Sequence, residues 1–341
     1  MTVNKIKELF ESVHCVTLLG YYGAYNFGDD LMMESITDEL LTYDKSINLI
    51  TYSKPDSHEK YNKIYYYWKD NGRLNNLSNF SKIVHDSDLI VWGGGTCFTD
   101  EDGDGFFIYM LYAKLVLRKK IAYMGVGIGK LEKLKSNVKL YILLNICDYI
   151  SLRDPYSYEI TKRIKKYKYT YINLVDDYAL YTVRKYKLYN STRNSKQQLL
   201  ISWRNLHSYD SQPSLESLMC YIFNLIMKYN IKKVVLIDAD SSLDEDINKI
   251  IYQHLLDKCK LINIYYDHTK IYSEKLKRIV ESNYIITSRL HIAVAGNEFK
   301  DKIIYVYNYS PKINYFVSET ANDNIFLFDK KALENVNKGS I

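Results

Sequence analysis

An arginine and a histidine stand two residues apart at the start of a predicted helix, in "TSRLHIAVAG" (287–296). The stretch follows a strand-like run, and serine is a favoured N-cap, so we expect Ser288 to cap the helix and Arg289 and Leu290 to begin it. The unpaired N–H groups and the dipole of a helix start favour an anion. Arg289 would add bidentate hydrogen bonds, and His291 could exchange a proton with the bound group. The alternative is a structural pair satisfied by backbone carbonyls.

Two further cationic side chains lie at predicted element boundaries. Arg153 ends a strand in "SLRDPYS", where Asp154 and the following proline are explained as the capped start of a helix but the arginine is not. Lys312 follows a proline at another predicted helix start, in "YNYSPKINYF". Both residues are therefore candidate anion contacts.

Glycine-rich loops follow three predicted strands, in "GYYGAYNFGDD" (20–30), "WGGGTCFTDEDGDG" (92–105) and "MGVGIG" (124–129). Glycine at a strand end is costly unless the backbone must approach a ligand or another segment closely. The first loop lacks the G-x-G-x-x-G dinucleotide pattern, and a turn with an Asp or Asn N-cap explains it equally well. The candidate loop residues are Asn26, Gly28, Asp29, Gly93, Gly94, Gly95 and Gly127.

Short β-branched or apolar runs alternate with helix-like segments along the whole chain, which predicts the α/β class with parallel sheets covered by helices. At 341 residues we expect two domains. The polar stretch 184–198 is interpreted as their boundary, giving domains at 1–185 and 196–341. Two Rossmann-like domains facing a central cleft are expected, with ligands at the carboxyl ends of the strands.

The remaining composition excludes several classes of protein. The formal charge of +6 is spread along the chain, so no nucleic-acid partner is expected. The five cysteines are scattered, which indicates free thiols in a reducing compartment. Without a leader or membrane span in the sequence, we expect a cytoplasmic protein, with peripheral contact at the inner face of a membrane left open.

Acidic residues give no metal pattern. The cluster at Asp100, Glu101, Asp102 and Asp104 lacks the spacing of a calcium loop, and the histidines are dispersed, so no metal site is predicted. The pair Asp176–Asp177 is interpreted as a cap or hinge.

Taken in order, these motifs together with "VDDYAL" resemble the polysaccharide pyruvyl transferases, from about residue 18 to about residue 318. The resemblance implies a fold like the GT-B glycosyltransferases, with the acceptor on the amino-terminal domain and phosphoenolpyruvate on the carboxyl-terminal one. It also implies transfer of a pyruvyl group to a sugar of a capsular, exopolysaccharide or cell-wall polymer, with no cofactor besides phosphoenolpyruvate as co-substrate.

The same resemblance assigns roles to the candidate residues. The family's arginine–leucine–histidine motif falls on Arg289, Leu290 and His291. Its serine–x–arginine–aspartate motif falls on Arg153 and Asp154. We expect His291 to donate the proton and Asp29 to act as base. The residues expected to bind phosphoenolpyruvate are Arg153, Ser288, Arg289, Leu290 and Lys312.

Two other functions stay open at the level of sequence. A glycosyltransferase using a nucleotide sugar would need the same fold, although Glu298 is the best available carboxylate for gripping a ribose. An inactive scaffold of polysaccharide assembly is the other. The expected acceptor is a lipid-linked or oligosaccharide sugar, with linkage to a lipid diphosphate left open, while the identity of the sugar and the oligomeric state are not predicted.

Overall fold

The computed structural model describes residues 2–68, 72–100, 103–164, 171–189, 197–206, 212–320 and 322–336. The chain divides into two compact units: unit 1 is Met1–Ala24 with Asp29–Thr182, and unit 2 is Tyr25–Gly28 with Val183–Ile341. The segment Tyr25–Gly28, which belongs to the first glycine loop, is therefore grouped with the carboxyl-terminal half.

Unit 1 contains a mostly parallel sheet with the order β3-β2-β1-β4-β7-β8-β9, and β5 and β6 form a short antiparallel pair beside β7. The order reverses direction between β1 and β4, which makes this pair the topological switch point, where ligands bind in open α/β sheets. The strands are β1 (Cys15–Leu19), β2 (Ser46–Thr51), β3 (Lys63–Tyr66), β4 (Leu89–Gly93), β5 (Thr96–Thr99), β6 (Gly103–Asp104), β7 (Lys120–Ile128), β8 (Tyr149–Leu152) and β9 (Tyr171–Leu174).

Helices connect these strands and bury their apolar faces against the sheet. They are α1 (Thr2–Glu11), α2 (Phe27–Thr42), α3 (Arg73–Val84), α4 (Phe107–Leu115), α5 (Leu134–Ile146), α6 (Pro155–Ile164) and α7 (Tyr178–Tyr189), with one 3₁₀ turn at His58–Lys60. The core between sheet and helices includes Ile90, Phe80, Tyr123, Leu143 and Ile150, all buried. Such continuous burial is typical of a parallel sheet covered on both faces.

Unit 2 contains a wholly parallel sheet with the order β12-β11-β10-β13-β14-β15. Counted from its first strand this is the Rossmann order 3-2-1-4-5-6, with the switch point between β10 and β13. The strands are β10 (Gln198–Ser202), β11 (Lys233–Ile237), β12 (Asn263–Asp267), β13 (Tyr284–Thr287), β14 (Ile303–Tyr307) and β15 (Ile325–Phe328). The helices are α8 (Leu215–Lys228), α9 (Ser241–Lys258), α10 (Tyr272–Glu281), α11 (Leu290–Asn297), α12 (Pro311–Glu319) and α13 (Lys330–Val336).

The stretch 184–198, interpreted as the domain boundary, begins inside a helix, and the division between the two units falls just before it, at Thr182–Val183. Helix α7 continues to Tyr189, and in unit 2 the Arg184 guanidinium donates to the Glu298 carboxylate while Lys187 donates to the Glu298 carbonyl. Polar residues there mark a solvated helix face, because the buried side of α7 is carried by Ala179 and Val183. Residues 190–196 lie outside the described part of the chain.

In the part of the chain that the structure describes, no helix combines the length and the apolar character needed to cross a membrane.

Candidate active site

Two arginines follow the strands of the unit 2 switch point at matching positions. Ser202 of β10 pairs with Thr287 of β13, and each is followed two residues later by an arginine, Arg204 and Arg289. Because parallel strands end at the same edge of a sheet, the register itself brings these cations to neighbouring places. Arg204 was not predicted, although it follows a strand end just as Arg153 does.

The Arg289 guanidinium is held by a buried carboxylate, Asp244 of α9. Its Nε donates to both oxygens of Asp244 at 2.9 Å, and its Nη2 donates to one of them as well. The Asp240 carboxylate lies 4.0 Å from Nη2. Neither aspartate was singled out in the sequence, since nothing in a helix of mixed charge shows which carboxylate points inward.

Asp244 also bonds to the backbone that precedes its own helix, α9. Its carboxylate also accepts the N–H groups of Ala239 and Asp240 at 2.9 and 3.0 Å. Burial raises the pKa of the Asp244 carboxyl, while the Arg289 guanidinium and the Asp240 N–H oppose that rise. Burial lowers the pKa of Arg289, but the Asp244 charge outweighs this effect and the net direction is upward. Arg289 is therefore protonated, and its charge is balanced inside the unit.

Ser288 is not the cap of α11, and this prediction is wrong. Arg289 occupies the N-cap position with extended backbone angles and no side-chain cap, and the helix begins at Leu290. The Ser288 hydroxyl instead accepts the Arg204 N–H at 2.8 Å, and Thr287 Oγ1 accepts the Arg289 N–H at 2.9 Å. The serine thus joins the two arginine-bearing strand ends, because the helix begins one residue later than the capping interpretation requires.

His291 lies in the first turn of α11, half-buried, directly against Gly28. A Cβ placed on Gly28 would collide with Nδ1 and Cγ of the imidazole. Gly28 therefore permits a close approach between the segment Tyr25–Gly28 and the histidine.

Asn26 anchors that segment to unit 2. Its amide donates to Asp240 Oδ2 at 3.2 Å, its amide oxygen accepts the Gly28 N–H, and the Phe27 N–H donates to the Ala239 carbonyl at 2.7 Å. Asn26 thereby caps α2, which begins two residues before the predicted Asp29. Asn26 and Gly28 were expected among the acceptor loops of the amino-terminal domain, but they contact the histidine and the acidic residues of unit 2.

The Arg204 side chain lies next to Tyr309, which follows β14. The Arg204 Nη1 lies 3.4 Å from the tyrosine hydroxyl, and its Cζ lies 6.0 Å from the ring centre. Lys312 is exposed in the first turn of α12, one residue after Pro311, as predicted. Tyr309 lies within the quoted sequence motif but was not singled out.

In unit 1, Arg153 lies at the end of β8 with its side chain almost fully buried. Its guanidinium donates to Asp177 Oδ2 at 3.2 Å and to Thr96 Oγ1 at 3.1 Å. A Cβ on Gly127 would approach Arg153 Nε to 3.2 Å, so this glycine makes room for the arginine. Asp177 also caps α7 by accepting the Ala179 N–H, which confirms the predicted capping role for this one of the two aspartates.

The triple glycine of unit 1 lies at its switch point. Gly94 and Gly95 have φ of +71° and +74°, a conformation that side-chain-bearing residues rarely adopt. The Gly93 carbonyl accepts the buried Tyr22 hydroxyl, and a Cβ on Gly95 would lie 3.1 Å from Asp29 Oδ1. Four residues therefore lie at one edge of the unit 1 sheet: Asp29, Gly95, Thr96 and Arg153.

No group of His, Cys, Asp and Glu suited to a metal ion occurs among the described residues. Asp100 accepts the N–H groups of Glu132 and Lys133, and Asp104 pairs with Lys139. Asp100 and Asp104 are thus bonded to neighbouring groups of the protein, while Glu101 and Asp102 lie outside the described residues.

Solved structures with the same fold include UDP-GlcNAc 2-epimerases. The enzyme from Neisseria meningitidis, bound to UDP-GlcNAc, has a TM-score of 0.65 at 12% identity, covering 96% of this chain and 90% of its own. The enzyme from Methanocaldococcus jannaschii has a TM-score of 0.64 at 13% identity, covering 95% and 92%. At such identities the likeness shows the fold alone, and it bears out the GT-B-like class with two Rossmann-like domains.

Among curated proteins, none matches the sequence. The family model described as polysaccharide pyruvyl transferase matches residues 26–296, most of the chain. The chain belongs to the polysaccharide pyruvyl transferase family.

Proposed function

We propose that this protein transfers the pyruvyl group of phosphoenolpyruvate to two hydroxyls of a sugar, forming a cyclic ketal and releasing phosphate. The observation that carries the proposal is His291 in the first turn of α11, two residues after Arg289, at the switch point of unit 2. The family match over residues 26–296 supports the reaction class.

The reaction divides into steps that balance without a redox cofactor. A proton adds to the methylene carbon of phosphoenolpyruvate, and the adjacent carbon takes on oxocarbenium character. One sugar hydroxyl adds to that carbon and gives up its proton. Phosphate then leaves with its bonding electron pair, and the second hydroxyl closes the ketal as its proton passes to the phosphate or to a base.

We assign the first proton to His291, because imidazole is the side chain best suited to proton transfer near neutral pH. The donor would be held by the N–H groups at Leu290 and His291, by Arg289 and by Lys312. Ser288 acts through the backbone of Arg204 rather than through a helix cap. The expected contact of Arg153 with phosphoenolpyruvate stays a prediction.

The acceptor is proposed to use the loops of unit 1. Gly93, Gly94, Gly95 and Gly127 let a sugar approach the backbone closely, and Asp29 is the proposed base for its hydroxyl. Asn26 and Gly28 position His291 instead. A sugar linked to a lipid diphosphate at the inner face of a membrane is the proposed setting.

Use of a nucleotide sugar is the second candidate, because the solved structures with this fold include an epimerase bound to UDP-GlcNAc. Glu298, the carboxylate considered for gripping a ribose, bonds to Arg184 at 3.1 and 3.2 Å. An engaged carboxylate of this kind is a poor ribose ligand, which favours phosphoenolpyruvate.

Thermal unfolding with each donor separates the two candidates. We expect phosphoenolpyruvate to raise the Tm in a concentration-dependent way and UDP-GlcNAc to leave it unchanged, since a ligand that binds only the folded state stabilises it. The same measurement is made with the His291→Ala variant. This variant should still bind phosphoenolpyruvate, because loss of the proton donor need not abolish binding. A shift with UDP-GlcNAc alone would contradict the proposal.

A further inference from the structure

Three tyrosines stand side by side where neighbouring strands of the unit 1 sheet end. Tyr52 and Tyr67 directly follow the last residues of β2 and β3, which pair with each other, and Tyr21 follows β1 at the matching position of the register. Because parallel strands end at the same edge of a sheet, the register itself brings the three side chains together. Tyr21, Tyr52 and Tyr67 are called the tyrosine row below.

The rings of the tyrosine row contact one another. The ring centres of Tyr52 and Tyr67 lie 4.5 Å apart with 32° between the ring planes, and those of Tyr21 and Tyr52 lie 5.4 Å apart in an edge-to-face arrangement. Tyr67 is half-buried, and its ring centre lies 6.0 Å from that of Trp68, which packs on the core of unit 1. Aromatic rings at these distances attract one another. The row is therefore held in place at its inner end.

The outer end of the row is open to solvent. Tyr21 is 44% exposed and Tyr52 is 52% exposed. Apolar side chains that are grouped at the surface mark binding sites, whereas scattered ones are ordinary. Burial raises the pKa of the Tyr52 and Tyr67 phenols, so both hydroxyls stay protonated. The row thus offers uncharged ring faces and hydroxyl groups, which suits a neutral ligand rather than an ion.

Hydrogen bonds join the tyrosine row to the triple glycine of unit 1. The Tyr67 hydroxyl donates to the Gly20 carbonyl at 2.8 Å, and the Tyr52 N–H donates to the Tyr22 carbonyl at 2.9 Å. Tyr22 in turn donates its hydroxyl to the Gly93 carbonyl at 2.7 Å. The row therefore has a fixed place beside the loop that is proposed to approach the acceptor, at the edge of the sheet where α/β folds bind ligands.

We propose that the tyrosine row is a carbohydrate subsite, in which Tyr21 and Tyr52 bind the apolar face of a sugar residue of the acceptor. A pyranose ring presents C–H groups on its face and hydroxyls around its edge, so it can lie against a phenol ring while its hydroxyls bond to polar groups nearby. Such a contact removes apolar surface of both partners from water. The subsite rests on the proposed function for the role of the sugar as acceptor, but sugar binding can be measured without that function.

Saturation-transfer NMR of the full chain tests the subsite in the absence of phosphoenolpyruvate. The probes are the methyl glycosides of glucose, galactose, mannose and N-acetylglucosamine. The variants are Tyr52→Leu, Tyr21→Leu and Tyr52→Phe, and Tyr141→Leu removes an exposed tyrosine of α5 as the control. Circular dichroism and thermal unfolding check that each variant is folded. Tyr52→Phe keeps the ring and loses only the hydroxyl, so it separates stacking from hydrogen bonding.

We expect the wild-type chain to transfer saturation to the ring C–H protons of at least one glycoside. Tyr52→Leu should weaken the binding of that glycoside about tenfold, as for the loss of an aromatic contact, while Tyr52→Phe should weaken it less than about twofold. Tyr21→Leu should also weaken it, and Tyr141→Leu should bind as the wild type does. In turnover assays, Tyr52→Leu should raise the KM for the acceptor and leave the KM for phosphoenolpyruvate unchanged.

Unchanged glycoside affinity in Tyr52→Leu and Tyr21→Leu, or no binding of any probe by the wild type, would overturn the subsite. Equal losses in Tyr52→Phe and Tyr52→Leu would also overturn it, since the hydroxyl and not the ring would then hold the sugar. If the row binds a glycoside but no pyruvyl group is transferred from phosphoenolpyruvate, the subsite stands and the proposed function fails. If transfer occurs and Tyr52→Leu leaves the acceptor KM unchanged, the proposed function stands and the subsite fails.

Discussion

The Arg289 guanidinium and the Asp244 carboxylate are joined through Nε at 2.9 Å from both carboxylate oxygens. Asp244 lies on α9 and Arg289 at the N-cap of α11, so the pair ties two helices at the switch point of unit 2. Its charge is balanced before any substrate binds. Arg289, the arginine of the family motif, therefore holds two helices together in addition to any contact with substrate.

Asp244→Asn should destabilise unit 2 and displace His291. The substitution keeps the shape of the side chain but leaves the Arg289 charge buried without its counter-ion, at a cost of about 3 kcal/mol in the free energy of unfolding. Urea denaturation measures this cost, and Asp246→Asn, on the exposed face of the same helix, is the matched control. Equal midpoints for the two variants would show that the pair contributes nothing.

Gly28→Ala should act through His291. A Cβ at residue 28 collides with the imidazole, so the ring must leave its place and pyruvyl transfer should fall at least tenfold, about 1.4 kcal/mol in transition-state stabilisation. Thermal unfolding and turnover are measured for Gly28→Ala, His291→Ala and the double variant.

In the His291→Ala background the collision is absent, so we expect Gly28→Ala to cost little stability there. Non-additivity of this kind is the signature of residues in contact. If the stability costs of the two substitutions add, Gly28 makes room for a residue other than His291.

Lys302 predicts a pH dependence of stability. Its ammonium is fully buried and donates to the Val280 and Ser282 carbonyls at the end of α10, and burial lowers its pKa to about 8 although Asp301 opposes this. In the unfolded chain a lysine titrates near pH 10.4. Between these values the unfolded state binds more protons, so this residue's contribution to stability rises with pH.

Relative to Lys302→Met, the wild-type free energy of unfolding should therefore increase between pH 7.5 and pH 9.5, by about 1.4 kcal/mol per pH unit at most. Urea titrations at these two pH values measure the difference, with exposed Lys300→Met as the control. A difference that stays constant with pH would show that Lys302 titrates normally.

Arg153→Lys should lower the activity, because it disrupts the hydrogen bonds that the arginine makes in unit 1. An ammonium cannot reproduce the fork that reaches both Asp177 and Thr96, so we expect kcat/KM to fall about tenfold or more. Arg163→Lys on the surface of α6 is the control. Steady-state kinetics at several acceptor concentrations measures the loss, and wild-type values for Arg153→Lys would remove this residue from the site.

The alternation of apolar strands and helices predicts both parallel sheets, since each strand of the core reads as a continuous apolar run. Less regular segments were missed: β3 (Lys63–Tyr66) and α3 (Arg73–Val84) have mixed polarity because only part of each is buried. Residues that depend on tertiary pairing could not be found from spacing. Asp244 is the clearest case, because its inward direction follows from the packing of α9 and not from its neighbours in sequence.

Strand-end positions were the most informative sequence signal for the site. Arg153 and Arg289 are found in this way, and the same signal applies to Arg204, which follows β10 and is not among the predicted residues. The predicted capping role of Ser288 is wrong, because the hydroxyl of a serine before a helix can equally well accept a hydrogen bond from the end of a neighbouring strand. The grouping of Tyr25–Gly28 with unit 2 has no local signature, because it depends on contacts with residues more than two hundred positions away.

The most direct test of the proposed function is mass spectrometry of sugar glycosides incubated with the protein and phosphoenolpyruvate, with inorganic phosphate measured in the same samples. We predict a pyruvyl ketal and phosphate in equal amounts from the wild-type chain, and a loss of both rates by about 10²- to 10⁴-fold in folded His291→Ala. A His291→Ala variant with wild-type turnover, or phosphate release without any pyruvylated sugar across a panel of lipid-linked and free glycosides, would contradict the account.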